Sequence, residues 1–387
     1  VFISFSMGDP ACAAGCACDT CARQRLLAEA LGVVAGATAG DGALATVVGG
    51  LRNDLRAHDR LAGQEGAGPV RVDEAMRVGE VCSRRPWLRY AADAFVPERF
   101  DGFLLSGEVA PLEIPPRKSV PKVCMVVGCG RSGTTLLMDL LSCHKSMRTV
   151  NEPRQAWLSA GIPAVDVWSV KAQERAGELR LPAASATSGV TSAMRDFWSA
   201  VAGCPGREDG APCEVVVEKF PEHALRLPFV TAVVPKSKLT VVHVVRDGIA
   251  VARSIAQFGV TAWYGAKGEW KWVKLKQLAV GLRISDVLVQ LADSTGPSQM
   301  FARGLVEWGV SIALCREDQA SLGMTVLEVN YSALCGEKLE EVLTSIEARC
   351  GVAHDPEMLE LGRGLVRESR PAPALTSEER EVMDACR

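Results

Sequence analysis

From residue 121 onward, short runs of almost continuous apolar residues alternate with stretches whose apolar positions recur every three or four residues. The runs at 123–128, 146–150, 214–219, 239–245 and 324–329 have strand length, and the periodic stretches between them read as helices. The runs do not alternate polar with apolar, which suits strands covered on both faces. Strands and helices taking turns along a chain predict an α/β fold, a central parallel sheet flanked by helices, with ligands received at the carboxyl ends of the strands. The first 110 residues differ. Ala22 to Val34, Leu44 to Leu61 and Val72 to Phe95 have helical spacing with glycine and polar breaks, and predict a helical N-terminal extension without chemistry of its own. Residues 111–121 are proline-rich, cannot be helical, and mark the boundary to a domain spanning 122–387. No internal repeat is present.

The first run leads straight into Gly128-Cys-Gly-Arg-Ser-Gly-Thr-Thr135 and then an apolar helix. A glycine loop at a helix N-terminus turns unpaired backbone N–H groups and the positive end of the helix dipole toward an anion. Gly128, Gly130 and Gly133 permit close approach, Arg131 adds a planar, permanently charged fork, and Ser132, Thr134 and Thr135 supply hydroxyls. As a nucleotide-triphosphatase loop the spacing is right, but Thr134 stands where the phosphate-binding lysine belongs, so ATP hydrolysis is disfavoured. As a dinucleotide fingerprint the same residues fit G-x-G-x-x-G, with Glu152 following about 20 residues on as the ribose acid. Lys219 and Arg246 fall, like Gly128, at predicted strand ends, which points to one shared anionic ligand.

Four segments in order separate these readings. The loop Gly-x-Gly-Arg-Ser-Gly-Thr-Thr-Leu-Leu, the strand end Glu218-Lys-Phe-Pro221, the stretch from Lys238 through Arg246-Asp-Gly248 to Ser254 and Gln257, and Leu305-Val-Glu-Trp308 followed by Val329-Asn-Tyr-Ser-Ala-Leu334 together resemble the sulfotransferases that use 3′-phosphoadenosine 5′-phosphosulfate. The resemblance covers about 121–335 and is nearest to the protein-tyrosine and bacterial-type branch, whose loop carries arginine. It implies a P-loop-containing nucleotide hydrolase-like fold of sulfotransferase type. It implies a 5′-phosphosulfate loop formed by Gly128, Gly130, Arg131, Ser132, Gly133, Thr134 and Thr135, a 3′-phosphate pair in Arg246 and Ser254, and an adenine-side residue in Tyr331, with Trp308 beside it. The product would be adenosine 3′,5′-bisphosphate, and no metal is required. Where other branches place a catalytic histidine this chain has Pro221, with His223 two positions further. The tyrosine-directed branch uses a glutamate after the second strand, which here is Glu152. A nicotinamide-dependent Rossmann oxidoreductase and an inactive nucleotide-binding scaffold are the alternatives.

Sulfuryl transfer to an acceptor hydroxyl or amine depends on positioning and electrostatics more than on covalent chemistry. Arg131 and Lys219 are the candidates for stabilising the leaving phosphate, each by about 2 to 4 kcal/mol in the manner of single oxyanion donors. Glu152 is the candidate base, a role that requires a partly desolvated site. Composition adds limits. With 48% hydrophobic and 23% charged residues the chain is not dominated by disorder, and a net charge of −3 gives no general nucleic-acid footprint. Lys267, Lys271, Lys274 and Lys276, interspersed with Trp263, Trp270 and Trp272, read as a solvated amphipathic helix or as a basic aromatic patch near the donor or an anionic acceptor. No window reaches the roughly 18 uncharged apolar residues of a membrane span. The chain starts at Val1, so the expected location is the Golgi lumen if an upstream anchor precedes it and the cytoplasm otherwise. Of the 14 cysteines, Cys12, Cys16, Cys18 and Cys21 fit no common zinc spacing. Cys204 and Cys213 bracket a turn that a disulfide would close in an oxidising compartment. Cys124, Cys129 and Cys143 read as small packing residues. The acceptor, whether a glycan, a protein tyrosine or a small alcohol, is left open, as specificity would lie in motif-free loops at 154–213 and 259–300.

Overall fold

The structure, a computed structural model, describes residues 121–167, 175–203, 213–264, 269–366 and 373–385. All of these belong to one of two compact units, Ile114–Cys204 with Ala211–Arg387. The helical reading of residues 1–110, nearly all of the connector and the cluster Cys12 to Cys21 fall outside the described residues, as do Lys267 and Cys204.

Five strands form the sheet: β1 (Lys122–Gly128), β2 (Met147–Asn151), β3 (Val215–Lys219), β4 (Leu239–Val245) and β5 (Leu327–Asn330). Helices α1 (Thr134–Leu141), α2 (Arg154–Ser159), α3 (Ser188–Gly203) and α4 (Leu227–Val233) fall between β1 and β4. Between β4 and β5 come α5 (Gly248–Ala256), α6 (Val260–Tyr264), α7 (Trp270–Gly281), α8 (Asp286–Asp293) and α9 (Gln299–Ser321). The chain continues through α10 (Tyr331–Leu334), α11 (Leu339–Cys350), α12 (Pro356–Leu365) and α13 (Ser377–Ala385).

The order across the sheet is β2-β3-β1-β4-β5, and every pairing is parallel. β1 and β3 are buried almost throughout, as continuous Val-rich runs require when helices cover both faces. The register aligns the carboxyl ends: Asn151 pairs with Lys219, Gly128 with Val244 and Val245 with Asn330. One edge of the sheet therefore presents the phosphate loop, Glu152, Lys219, Arg246 and Tyr331 together, because each is at or one residue past a strand end. The order also separates the two phosphate-loop readings. In the classic dinucleotide fold β2 lies next to β1, which lets its terminal acid reach the ribose. Here β3 intervenes, and Glu152 faces Lys219 instead.

Two buried charged groups near this edge find partners within the core. Glu218 on β3 is fully buried and accepts from the indoles of Trp157 and Trp198, each at 2.8 Å. Buried Arg226 donates to the carbonyls of Val165, Glu178 and Leu179 at 3.0, 2.7 and 3.0 Å, which ties that loop to the sheet edge. Its removal from water lowers the guanidinium pKa to about 10, an effect that neighbouring Glu222 opposes.

Candidate active site

At the sheet edge lies an open cavity of about 390 Å³. Gly128, Gly130, Arg131, Thr134, Thr135, Glu152 and Lys219, all named from the sequence, line it. Cys129 also lines it; burial, and then Glu307, push its thiol pKa well up, which leaves it a packing residue as expected.

The loop is shaped by two left-handed positions. Arg131 has φ 71° and Gly133 has φ 99°, and Gly133 is the N-cap of α1 without any side-chain cap bond. The first intrahelical bond runs from Leu137 N–H to Gly133 C=O, so the amides of Thr134, Thr135 and Leu136 have no carbonyl within the helix. Ser132 Oγ is buried without a hydrogen-bond partner. Glycines hold the loop close to its supports. A Cβ at Gly133 would meet the Tyr331 ring at 2.3 Å, and one at Gly130 the Trp263 ring at 2.8 Å. First-turn amides, an orphaned buried hydroxyl and a backbone that only glycine allows so close fit a bound anion such as a phosphate.

Ser132, Gly133, Arg246, Ser254 and Tyr331 do not line the cavity. They adjoin it through Arg131. Arg131 Nε donates to Ser254 Oγ at 3.0 Å, and Arg246 Nη1 donates to the Arg131 carbonyl at 3.2 Å. The Arg246 guanidinium lies over the Tyr331 ring, 4.3 Å from its centroid, while the Trp308 indole donates to the Arg246 carbonyl at 2.9 Å. Tyr331 therefore acts as a platform between Gly133 and Arg246, and Trp308 anchors the Arg246 backbone. Asp247 caps α5, accepting from Ala250 N–H at 2.8 Å.

Glu152 has φ 45°, a strained position for a residue other than glycine, and its N–H is bonded to the Lys219 carbonyl at 2.7 Å. Lys219 Nζ donates to Glu152 Oε1 at 2.5 Å, and Arg154 Nη2 donates to Glu152 Oε2 at 3.0 Å and to Glu222 Oε1 at 3.2 Å. Lys219 is buried, but the Glu152 side chain is 32% exposed, less desolvated than the sequence argument required of a base. His223 is fully buried beside Glu218, stacks on Phe220 and does not line the cavity. Burial lowers its pKa.

The lysine and tryptophan cluster is not one surface patch. Lys271 is 2% exposed, donates to Glu307 Oε1 at 2.6 Å, and both line the cavity. Trp263 Nε1 donates to Glu307 Oε2 at 2.8 Å. Lys274 pairs with Glu178, Lys276 with Asp293, and the Trp270 and Trp272 indoles donate to the Gly177 carbonyl and Asp293. Arg154, Glu222, Glu307 and Ser311, which no motif had assigned to a site, complete a wall with Lys271, which one of the two readings of the lysine and tryptophan cluster had put near the donor. Arg154 lay two residues after Glu152, and Glu307 sat inside the tryptophan-helix segment, but neither pattern indicates which cavity a side chain reaches.

No match was found among curated proteins. Solved structures similar to this chain include a sulfotransferase domain from the curacin biosynthetic pathway, at 15% identity and TM-score 0.35 over 69% of this chain and 98% of that one. Sulfotransferase STF1 from Mycobacterium tuberculosis H37Rv is 15% identical at TM-score 0.36, over 94% of this chain and 97% of its own. STF9 from Mycobacterium avium is 12% identical at TM-score 0.35, over 91% and 88%. The assignment rests not on these likenesses but on sequence. The model described as the Sulfotransferase family matches residues 124–356, more than half of the 387, from the strand that carries the phosphate loop to the start of α12, and the chain is a transferase belonging to that family.

Proposed function

We propose that this chain moves a sulfuryl group from 3′-phosphoadenosine 5′-phosphosulfate to an acceptor hydroxyl. The observation that carries the reading is the continuity of the anion-binding strip: the Arg131 side chain bonds Ser254, and Arg246 bonds the Arg131 carbonyl. A nucleotide phosphorylated at both ends suits such a strip better than a singly phosphorylated one. Gly128, Gly130, Ser132, Gly133, Thr134 and Thr135, with Arg131, hold the 5′ end; Arg246 and Ser254 hold the 3′-phosphate; and Tyr331 supports Arg246 rather than stacking on a base.

In transfer, an acceptor oxygen bonds to sulfur as the bond from sulfur to the 5′-phosphate oxygen breaks. Glu152 takes the acceptor proton, and Lys219 and Arg131 stabilise charge on the leaving phosphate. Lys219 and Glu152 already touch, so the base and the leaving-side cation lie within one bond of each other. Proton uptake by Glu152 requires its contact with Lys219 or Arg154 to loosen, and a developing negative charge on the phosphate would draw Lys219 away. Because Glu152 is partly exposed, the acceptor itself has to complete the desolvation of the base.

Labelled donor supplied with a mixed panel of hydroxyl acceptors tests the reading. Wild-type protein transfers label, and Glu152→Gln loses roughly 100-fold or more of the rate while retaining adenosine 3′,5′-bisphosphate affinity. Lys219→Ala loses a similar factor. Nucleotide binding without any transfer identifies the scaffold alternative, and transfer unchanged in both variants removes the roles given to Glu152 and Lys219; either result overturns the proposal.

A further inference from the structure

We infer that the wall of this cavity beyond the phosphate loop is an acceptor subsite for an uncharged hydroxyl compound with an apolar ring body, a phenol or alicyclic alcohol carrying a second hydrogen-bonding group. This rests on the sulfuryl-transfer reading. The cavity as a whole, about 390 Å³ and shared with the phosphate loop, lies in the range of small-molecule sites, and the part beyond the loop suits a compact ring body. Its apolar surface comes from Leu179, Leu225, Leu275 and Trp263, each of them largely buried.

The charges of the wall are matched among themselves. Lys219, Arg154 and Lys271 face Glu152, Glu222 and Glu307, and each cation contacts at least one of these carboxylates at 2.5 to 3.2 Å. An anionic acceptor would lose water against a wall whose cations already serve carboxylates, at a cost that nothing there offsets. A cationic acceptor meets the same objection with the sign reversed. Sulfated glycans and tyrosines in acidic peptides are in the first class.

A neutral body still needs orientation. Ser311, on α9 one turn beyond Glu307, lines the cavity, is 3% exposed, and its hydroxyl has no hydrogen-bond partner. A buried hydroxyl left without a partner carries a desolvation penalty that a ligand's polar group relieves. Ser311 is thus suited to a second polar atom of the acceptor while the reacting hydroxyl lies at Glu152.

The experiment uses the full chain, labelled donor and five acceptors: 2-naphthol, 2,7-dihydroxynaphthalene, 6-hydroxy-2-naphthoic acid, a tyrosine peptide with acidic flanks and a heparosan oligosaccharide. Both neutral naphthols are turned over, the diol with the lower KM, and the naphthoic acid has kcat/KM at least roughly tenfold lower. In Ser311→Ala the KM of the diol rises roughly three- to tenfold, toward that of 2-naphthol, with adenosine 3′,5′-bisphosphate affinity unchanged by calorimetry. A peptide, oligosaccharide or naphthoic acid that exceeds the naphthols in kcat/KM overturns the inference, and so does a diol preference that survives Ser311→Ala. Absence of bisphosphate binding in the wild type overturns the donor reading instead, and this inference with it.

Discussion

Arg131 joins the two halves of the proposed nucleotide site through different atoms, its side chain reaching Ser254 and its carbonyl receiving Arg246. Substitution separates these contributions. Arg131→Lys keeps the carbonyl and one positive charge but loses the planar fork, so adenosine 3′,5′-bisphosphate affinity falls roughly 10- to 100-fold in calorimetry; unchanged affinity would show that the fork is not a ligand. At this scale the sequence was legible wherever a residue sat on a strand end, as Glu152, Lys219 and Arg246 do, because strand direction alone delivers those positions to one edge. Lys271 was legible only as one of two readings, and Glu307 and Ser311 not at all. These come from helices whose crossing, not whose spacing, brings them to the cavity, and a lysine among tryptophans looks the same in sequence whether solvated or paired beneath the surface.

The strand runs read from hydrophobicity match the observed strands to within a residue at four of five places, since a continuous apolar run has little alternative once both faces are covered. β5 begins at Leu327 rather than 324 and is half exposed along its length, so fewer of its residues are constrained by burial. The junction of β1 and α1 is where local conformation matters most. Gly133 is left-handed, and a side chain there would strike Tyr331, the platform under Arg246. Gly133→Ala therefore lowers stability by about 1 to 3 kcal/mol, and it weakens bisphosphate binding more than Tyr331→Phe, which retains the ring. Denaturant midpoints paired with calorimetry check this; an alanine variant of wild-type stability and affinity would remove the steric argument.

Across the molecule, buried imidazoles set its response to acid. His243 on β4 is 1% exposed, and burial lowers its pKa from 6.5 to about 4. Burial also lowers His144 and His223. Below about pH 6.5 the unfolded chain takes up protons that the folded chain refuses, so stability is full above that pH and declines as pH falls toward 4. For His243 alone the loss is on the order of 3 kcal/mol when complete. Thermal melts between pH 7 and pH 4 should show the decline, shallower in His243→Gln; a melting temperature independent of pH in that window would contradict it. Among the described residues no helix is long and apolar enough to cross a membrane.

The most direct measurement compares adenosine 3′,5′-bisphosphate with adenosine 5′-monophosphate by calorimetry in wild type and in Arg246→Ala. The wild type should favour the bisphosphate by roughly 10- to 100-fold, the worth of a charge-assisted phosphate contact, and Arg246→Ala should nearly erase the preference by weakening the bisphosphate alone. Equal affinity for the two nucleotides in the wild type, or a preference that outlasts the loss of Arg246, would contradict the two-ended grip on which the account depends.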